Sequence, residues 1–130
     1  MVGWATKTAI VHIVDDDRDV RQAFARLMRA SGFEPRAYDS AEEFLAEVRE
    51  SPRTCILLDI TMPNMTGPQV LARLNERDIR LPVIAVSARD DEETRAWTRS
   101  LGARMFLRKP VDDQALLDAI NWVVDSVAAR

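Results

Sequence analysis

Four points along this chain place a polar, chemically capable side chain directly after an apolar run. "AIVHIV" stops at Asp15, Asp16 and Asp17, "CILLD" ends on Asp59, "VIAVS" ends on Ser87, and "FLRK" ends on Lys109. A carboxylate ending so apolar a segment costs free energy unless something there needs its charge. If the acids meet, they repel one another, and either one takes up a proton or a cation holds them together. Oxygen-only ligands with room for water suit Mg²⁺. A magnesium-bearing carboxylate site accepts a phosphoryl group because the metal offsets its charge. Lys109 then supplies a point charge for phosphoryl oxygens and Ser87 a hydroxyl donor. Asp59 is left as the nucleophile, a carboxylate that becomes an aspartyl phosphate.

This chemistry depends on elements that bring four distant points together. Residues 9–14 form an apolar strand. Residues 19–31 place Val20, Phe24, Leu27 and Met28 at helical spacing, and "SGF" ends that helix. "EPRAY" (34–38) reads as a short, polar edge strand that tolerates its proline. "DSAEEF" opens a second helix, with Ser40 and Glu43 spaced for a capping box and Ala41, Phe44, Leu45 and Val48 facing inward. "TCILLD" is apolar throughout and is expected to be covered on both faces. A helix over about 66–77 turns Val70, Leu71 and Leu74 inward. "LPVIAVS" is the fourth strand, "DDEETRAWTRSLG" a helix closed by Gly102, and "RMFLRK" the fifth strand. The last helix runs from 112 to about 128 with Leu116, Ala119, Ile120, Val123 and Val127 inward.

Five strands alternating with five helices specify an α/β parallel sheet with helices on both faces. With "EPRAY" at the edge, the strand order is 2-1-3-4-5, a flavodoxin-like, doubly wound (βα)5 sheet occupying residues 1–130 as one unit. Ligands of such a sheet bind beyond the carboxyl ends of the strands, where all four polar points fall.

Composition narrows the classes. The chain has 130 residues, 47% hydrophobic and 30% charged, which suits one soluble domain with a real core. Its net charge of −3, with arginines spread along the chain, argues against nucleic-acid binding by this domain. The single cysteine, Cys55, lies within an apolar strand and reads as a small hydrophobe. No run approaches the roughly 20 apolar residues of a membrane span, and the start of the chain has no signal-like segment. The expected location is the cytoplasm. Asp17 and Asp19 read as a solvated turn or helix cap, and His12, inside the first strand, reads as structural.

The motifs "IVDDD", "LLDITMPNMTG", "VIAVSA" and "FLRKP", in this order and spacing, resemble the receiver domain of bacterial two-component response regulators. The stretch "VDDDRDVRQAFARLMRASGFEPRAYDSAEEFL" looks most like FixJ-type receivers, which usually precede a DNA-binding domain. The resemblance implies that Asp59 is the phosphoacceptor, charged from a phosphohistidine on a sensor histidine kinase. It implies that Mg²⁺ is held by Asp59, by Asp16 directly, by Asp15 through water, and by the backbone carbonyl of Thr61. It assigns Lys109 to the phosphoryl group, Ser87 and Phe106 to the switch, and Thr61 and Arg89 to modulation of phosphoryl lifetime. The Lys109–Pro110 bond is commonly cis in the family.

The switching expected from this resemblance has Ser87 turn toward the phosphoryl group and Phe106 fill the space it leaves. The face of the fourth helix, fifth strand and fifth helix then shifts. Trp97 and Trp122, on the two helices of that face, are either packing residues or part of a homodimer or partner surface, and the kinase docks near the first helix. Two enzyme-like alternatives fit less well. A haloacid-dehalogenase-type phosphatase wants an acid at the position of Thr61. A flavodoxin wants a hydroxyl- and glycine-rich loop where this chain has aspartates. A receiver-like interaction module that is never phosphorylated is the third alternative.

Overall fold

The alternation of buried strands and amphipathic helices folds as its periodicity requires. A computed structural model of the chain describes residues 8–62, 65–89 and 91–128, with side chains described as far as residue 125. The elements are β1 (Ile10–Val14), α1 (Arg18–Ala30), β2 (Glu34–Tyr38), α2 (Ala41–Glu47), β3 (Thr54–Asp59), α3 (Gly67–Glu76), β4 (Val83–Ser87), α4 (Glu92–Ser100), β5 (Met105–Arg108) and α5 (Asp113–Ala128). The sheet is parallel, in the order β2-β1-β3-β4-β5. Boundaries differ from the sequence expectation by one or two residues, the usual fraying of element ends.

Period-two alternation in the strands feeds two cores, one on each face of the sheet. Val11, Ile13, Cys55, Leu57, Ile84 and Val86 point to the face covered by α1 and α5, where Met28, Leu116, Ile120 and Val123 meet them. Val14, Ile56, Leu58 and Val83 point to the other face, against Phe44 of α2 and Val70, Leu71 and Leu74 of α3. All six residues of β3 are buried, as its unbroken apolarity requires. The Val127 side chain, expected inward, lies outside the described set, as do Pro63, Asn64 and Asp90.

The helix starts are specified locally. Asp17 is the N-cap of α1, its Oδ1 accepting from the amides of Asp19 and Val20. Ser40 caps α2 by accepting from the Glu43 amide. Thr66 and Gln69 form a reciprocal capping box at α3, each side chain accepting from the other residue's amide. In β2, the Glu34 amide donates to the carbonyl of Ala9, just before β1, so by strand alternation Pro35 turns its donorless nitrogen away from the sheet.

His12 is structural, as expected. It is buried, shares a 3.0 Å hydrogen bond between Nδ1 and the Tyr38 hydroxyl, and packs against the Tyr38 and Phe44 rings, which also touch each other. Burial, with Arg36 adding to it, lowers its pKa to about 4. Cys55 is a buried hydrophobe whose thiol burial pushes up to about 12.

Candidate functional site

Each site residue sits at the carboxyl end of its strand because β1, β3, β4 and β5 run parallel and adjacent. Asp15 follows β1 directly, Asp59 and Ser87 are the last residues of β3 and β4, and Lys109 follows β5. A 2.8 Å bond from the Lys109 amide to the Ser87 carbonyl ties the last two strand ends together. The Lys109–Pro110 peptide is cis.

Asp15, Asp16 and Asp59 present carboxylate oxygens that all lie within 4.8 Å of one another. Asp15 and Asp59 are buried and Asp16 is exposed. Lys109 Nζ donates to Asp15 Oδ2 at 2.9 Å and lies 3.6 Å from Asp59 Oδ2. The other oxygen of Asp15, Oδ1, accepts from the Asp17 amide. Asp59 Oδ1 accepts from both the amide and the hydroxyl of Thr61, at 3.0 and 3.1 Å. The three acids and Lys109 leave a local excess of negative charge.

The electrostatics follow from that excess. Burial holds the Asp15 carboxyl above the usual range although the Lys109 ammonium opposes it. Desolvation raises Asp16 as well, reinforced by neighbouring Asp59. Burial alone would depress Lys109, but Asp15 and Asp59 outweigh it and the ammonium is held more firmly than usual. A lone hard cation relieves this arrangement, and the donor set is oxygen-only, as Mg²⁺ requires. Three carboxylates of this spacing could hold one metal ion.

Ser87 is fully buried, its Oγ accepting from the Arg89 amide at 3.0 Å. The Arg89 side chain is 72% exposed and lies 3.6 Å from Asp91, the N-cap of α4. Phe106 is half-buried on β5, opposite Ala85, and the Arg95 guanidinium lies over its ring at 5.1 Å from the centroid. Trp97 and Trp122 are 55% and 56% exposed, each presenting more than half of its surface to solvent.

Three features of the site were not read from the sequence. Arg21 of α1 reaches back to donate to the Asp15 carbonyl at 2.8 Å, for which the sequence carries no signal. The contact between Arg95 and Phe106 joins two elements and is equally silent. The α3 capping box had a signal, Thr66 followed three residues later by Gln69. It matters because Gly67, the first residue of α3, packs on Ile60 beside Asp59. A Cβ there would lie 2.5 Å from the Ile60 Cα.

Comparison with known proteins agrees with this geometry. The family model "Response regulator receiver domain" matches residues 11–121. The transcriptional regulatory protein TdiR of Thauera aromatica is 38% identical over 120 residues, which make up 90% of this chain and 53% of TdiR. FixJ of Azorhizobium caulinodans is 36% identical over 111 residues, 85% of this chain and 53% of FixJ. The chain thus spans about half the length of these curated relatives. The crystal structure of FixJ-N superposes with a TM-score of 0.85 at 30% identity, over 92% of this chain and 96% of that one. With its strand order, its gathered carboxylates and its relatives in accord, the chain belongs to the receiver-domain family of response regulators, in the neighbourhood of FixJ.

Proposed function

We propose that this chain is the phosphoacceptor of a two-component phosphorelay and that Asp59 carries the phosphoryl group. The observation that carries the reading is the asymmetric setting of the Asp59 carboxylate. Thr61 holds Oδ1 with two donors, while Oδ2 faces the Lys109 ammonium. Oδ2 attacks the phosphorus of a kinase phosphohistidine. The new O–P bond forms as the N–P bond breaks, and the imidazole leaves neutral after taking a proton. Lys109 follows the transferring oxygens as a fixed charge.

Mg²⁺ is the cofactor this donor set fits, and when bound it neutralises the incoming phosphoryl charge. Asp16, exposed and beside Asp59, is the direct ligand together with Asp59. Both oxygens of Asp15 are engaged, by Lys109 and the Asp17 amide, which supports contact through water. The Thr61 carbonyl completes the protein's share. Hydrolysis of the aspartyl phosphate by water ends the signal, and the chain acts only on itself. Arg89 and Thr61 flank the route of that water and set the lifetime.

The partner is a sensor histidine kinase docking near α1. An apolar groove of about 450 Å³ opens beside Lys109 there, lined by Val20, Phe24, Pro110 and Val111. A cytoplasmic location follows from this reading, as does control of an output domain or partner, in the transcriptional role that its curated relatives' names carry. Phosphorylation turns Ser87 from the Arg89 amide toward the phosphoryl oxygens, and Phe106 moves inward. The α4–β5–α5 face then pairs two copies or grips the output domain, with Trp97 and Trp122 as exposed apolar contacts. Incubation with acetyl phosphate and Mg²⁺ followed by mass spectrometry tests the core assignment. One added phosphoryl group, absent in Asp59→Asn, is expected, and equal labelling of both proteins would refute it.

A further inference from the structure

The Arg95 guanidinium lies 5.1 Å from the centre of the Phe106 ring, within cation–π range. Arg95 stands one turn before Thr98, the buried residue of α4, so it shares the helix face turned to β5. Together with Arg99, Arg104 and Phe106 it lines a groove of about 160 Å³ between α4 and β5. Phe106 is half-buried at this groove, whereas Ala85 opposite it on β4 is fully buried and small. A ring moving deeper along the sheet draws away from the guanidinium, which is tethered to α4.

We propose that Arg95 is a positioning residue for the switch: its charge, laid over the Phe106 ring, holds that ring at the mouth of the α4–β5 groove and opposes its inward movement. This rests on the reading of Phe106 as the switch residue. Ion–ring attraction at a partly solvated site biases the two ring positions by about two- to five-fold. Linkage then requires that the same factor appear in affinity for whatever favours the inward position.

The test uses the full chain with a fluorinated phenylalanine at position 106, titrated with beryllofluoride and Mg²⁺ and followed by fluorine NMR. Wild type, Arg95→Gln and Arg95→Lys are compared, with circular dichroism to verify folding. Arg95→Gln is expected to bind beryllofluoride about two- to five-fold more tightly. Arg95→Lys, which keeps the charge, is expected to stay near wild type. Equal affinities in wild type and Arg95→Gln, with a Phe106 signal that responds to beryllofluoride, would overturn the role of Arg95 and leave the switch standing. A wild-type Phe106 signal that stays fixed while beryllofluoride binds would overturn the switch reading itself, and the role of Arg95 with it.

Discussion

Replacing Asp59 by asparagine should make the metal-free protein more stable, although it removes the residue on which the proposed function rests. Asp59 Oδ2 is 3.6 Å from Lys109 Nζ, and the carboxylates of Asp15 and Asp16 present oxygens within 4.8 Å. At an effective dielectric constant near 20, the lysine pair attracts by about 4.6 kcal/mol and each acidic pair repels by at least about 3.5 kcal/mol. Asp16 is exposed, so solvent removes about half or more of its share. Repulsion and attraction then nearly balance. The deciding contribution is desolvation, which costs a buried carboxylate several kcal/mol and an amide much less. An asparagine Oδ1 still accepts from Thr61. The expected gain is about 1–3 kcal/mol, read as a rise in urea midpoint on the order of 1 M at a slope of about 1–3 kcal/mol/M. Millimolar Mg²⁺ should reverse the order, because the wild-type cluster gains more from a cation than the variant does. An Asp59→Asn protein no more stable than wild type in chelator, or equal stabilisation of both by Mg²⁺, would refute the reasoning.

His12 should impose a pH dependence of its own. Its native pKa, about 4, lies below the ordinary 6.5, so the unfolded chain binds the extra proton and stability is fully present above pH 6.5. That stability is lost as pH falls toward 4, by at most about 3 kcal/mol. Asp15 and Asp16, raised in the native state, act with the opposite sign. They cancel when wild type is compared with His12→Asn, and parallel curves for the two proteins would exclude the effect. Gly67→Ala should destabilise by about 1–3 kcal/mol, since its Cβ meets the Ile60 backbone, and chemical denaturation measures this. Arg89→Ala should change the rate at which the Asp59 phosphoryl group is lost without preventing labelling by acetyl phosphate. Identical decay would show that the pairing with Asp91 keeps Arg89 away from the site.

Strand order and the convergence of Asp15, Asp16, Asp59, Ser87 and Lys109 were legible because they follow from rules with few solutions. Apolar runs such as "CILLD" are buried on both faces, parallel crossovers have one hand, and strand ends gather on one side. Contacts across elements obey no such rule. Nothing in the order of residues tells that Arg95 lies over Phe106 or that Arg21 reaches the Asp15 carbonyl, since helix rotation and rotamer settle both. Trp97 and Trp122 show a similar limit. Helical spacing allowed them inward or outward, and both side chains lie more than half exposed. The second edge strand, β5, was placed correctly by the alternation of elements, though its composition alone does not mark it as an edge. "MFLR" is as apolar as a central strand, yet the described residues of its outer side face no further strand, and it is only half-buried.

Helix α3 sinks five residues into the protein, and α4 sinks one, Thr98, whose hydroxyl is spent on the Thr94 carbonyl of its own helix. So little grip on the interior means that α4 can be displaced for a small fraction of the free energy that holds the fold. The proposed covalent message can therefore be spoken by a lightly held helix while the rest stays still. Amide hydrogen exchange should find α4 opening well before β3.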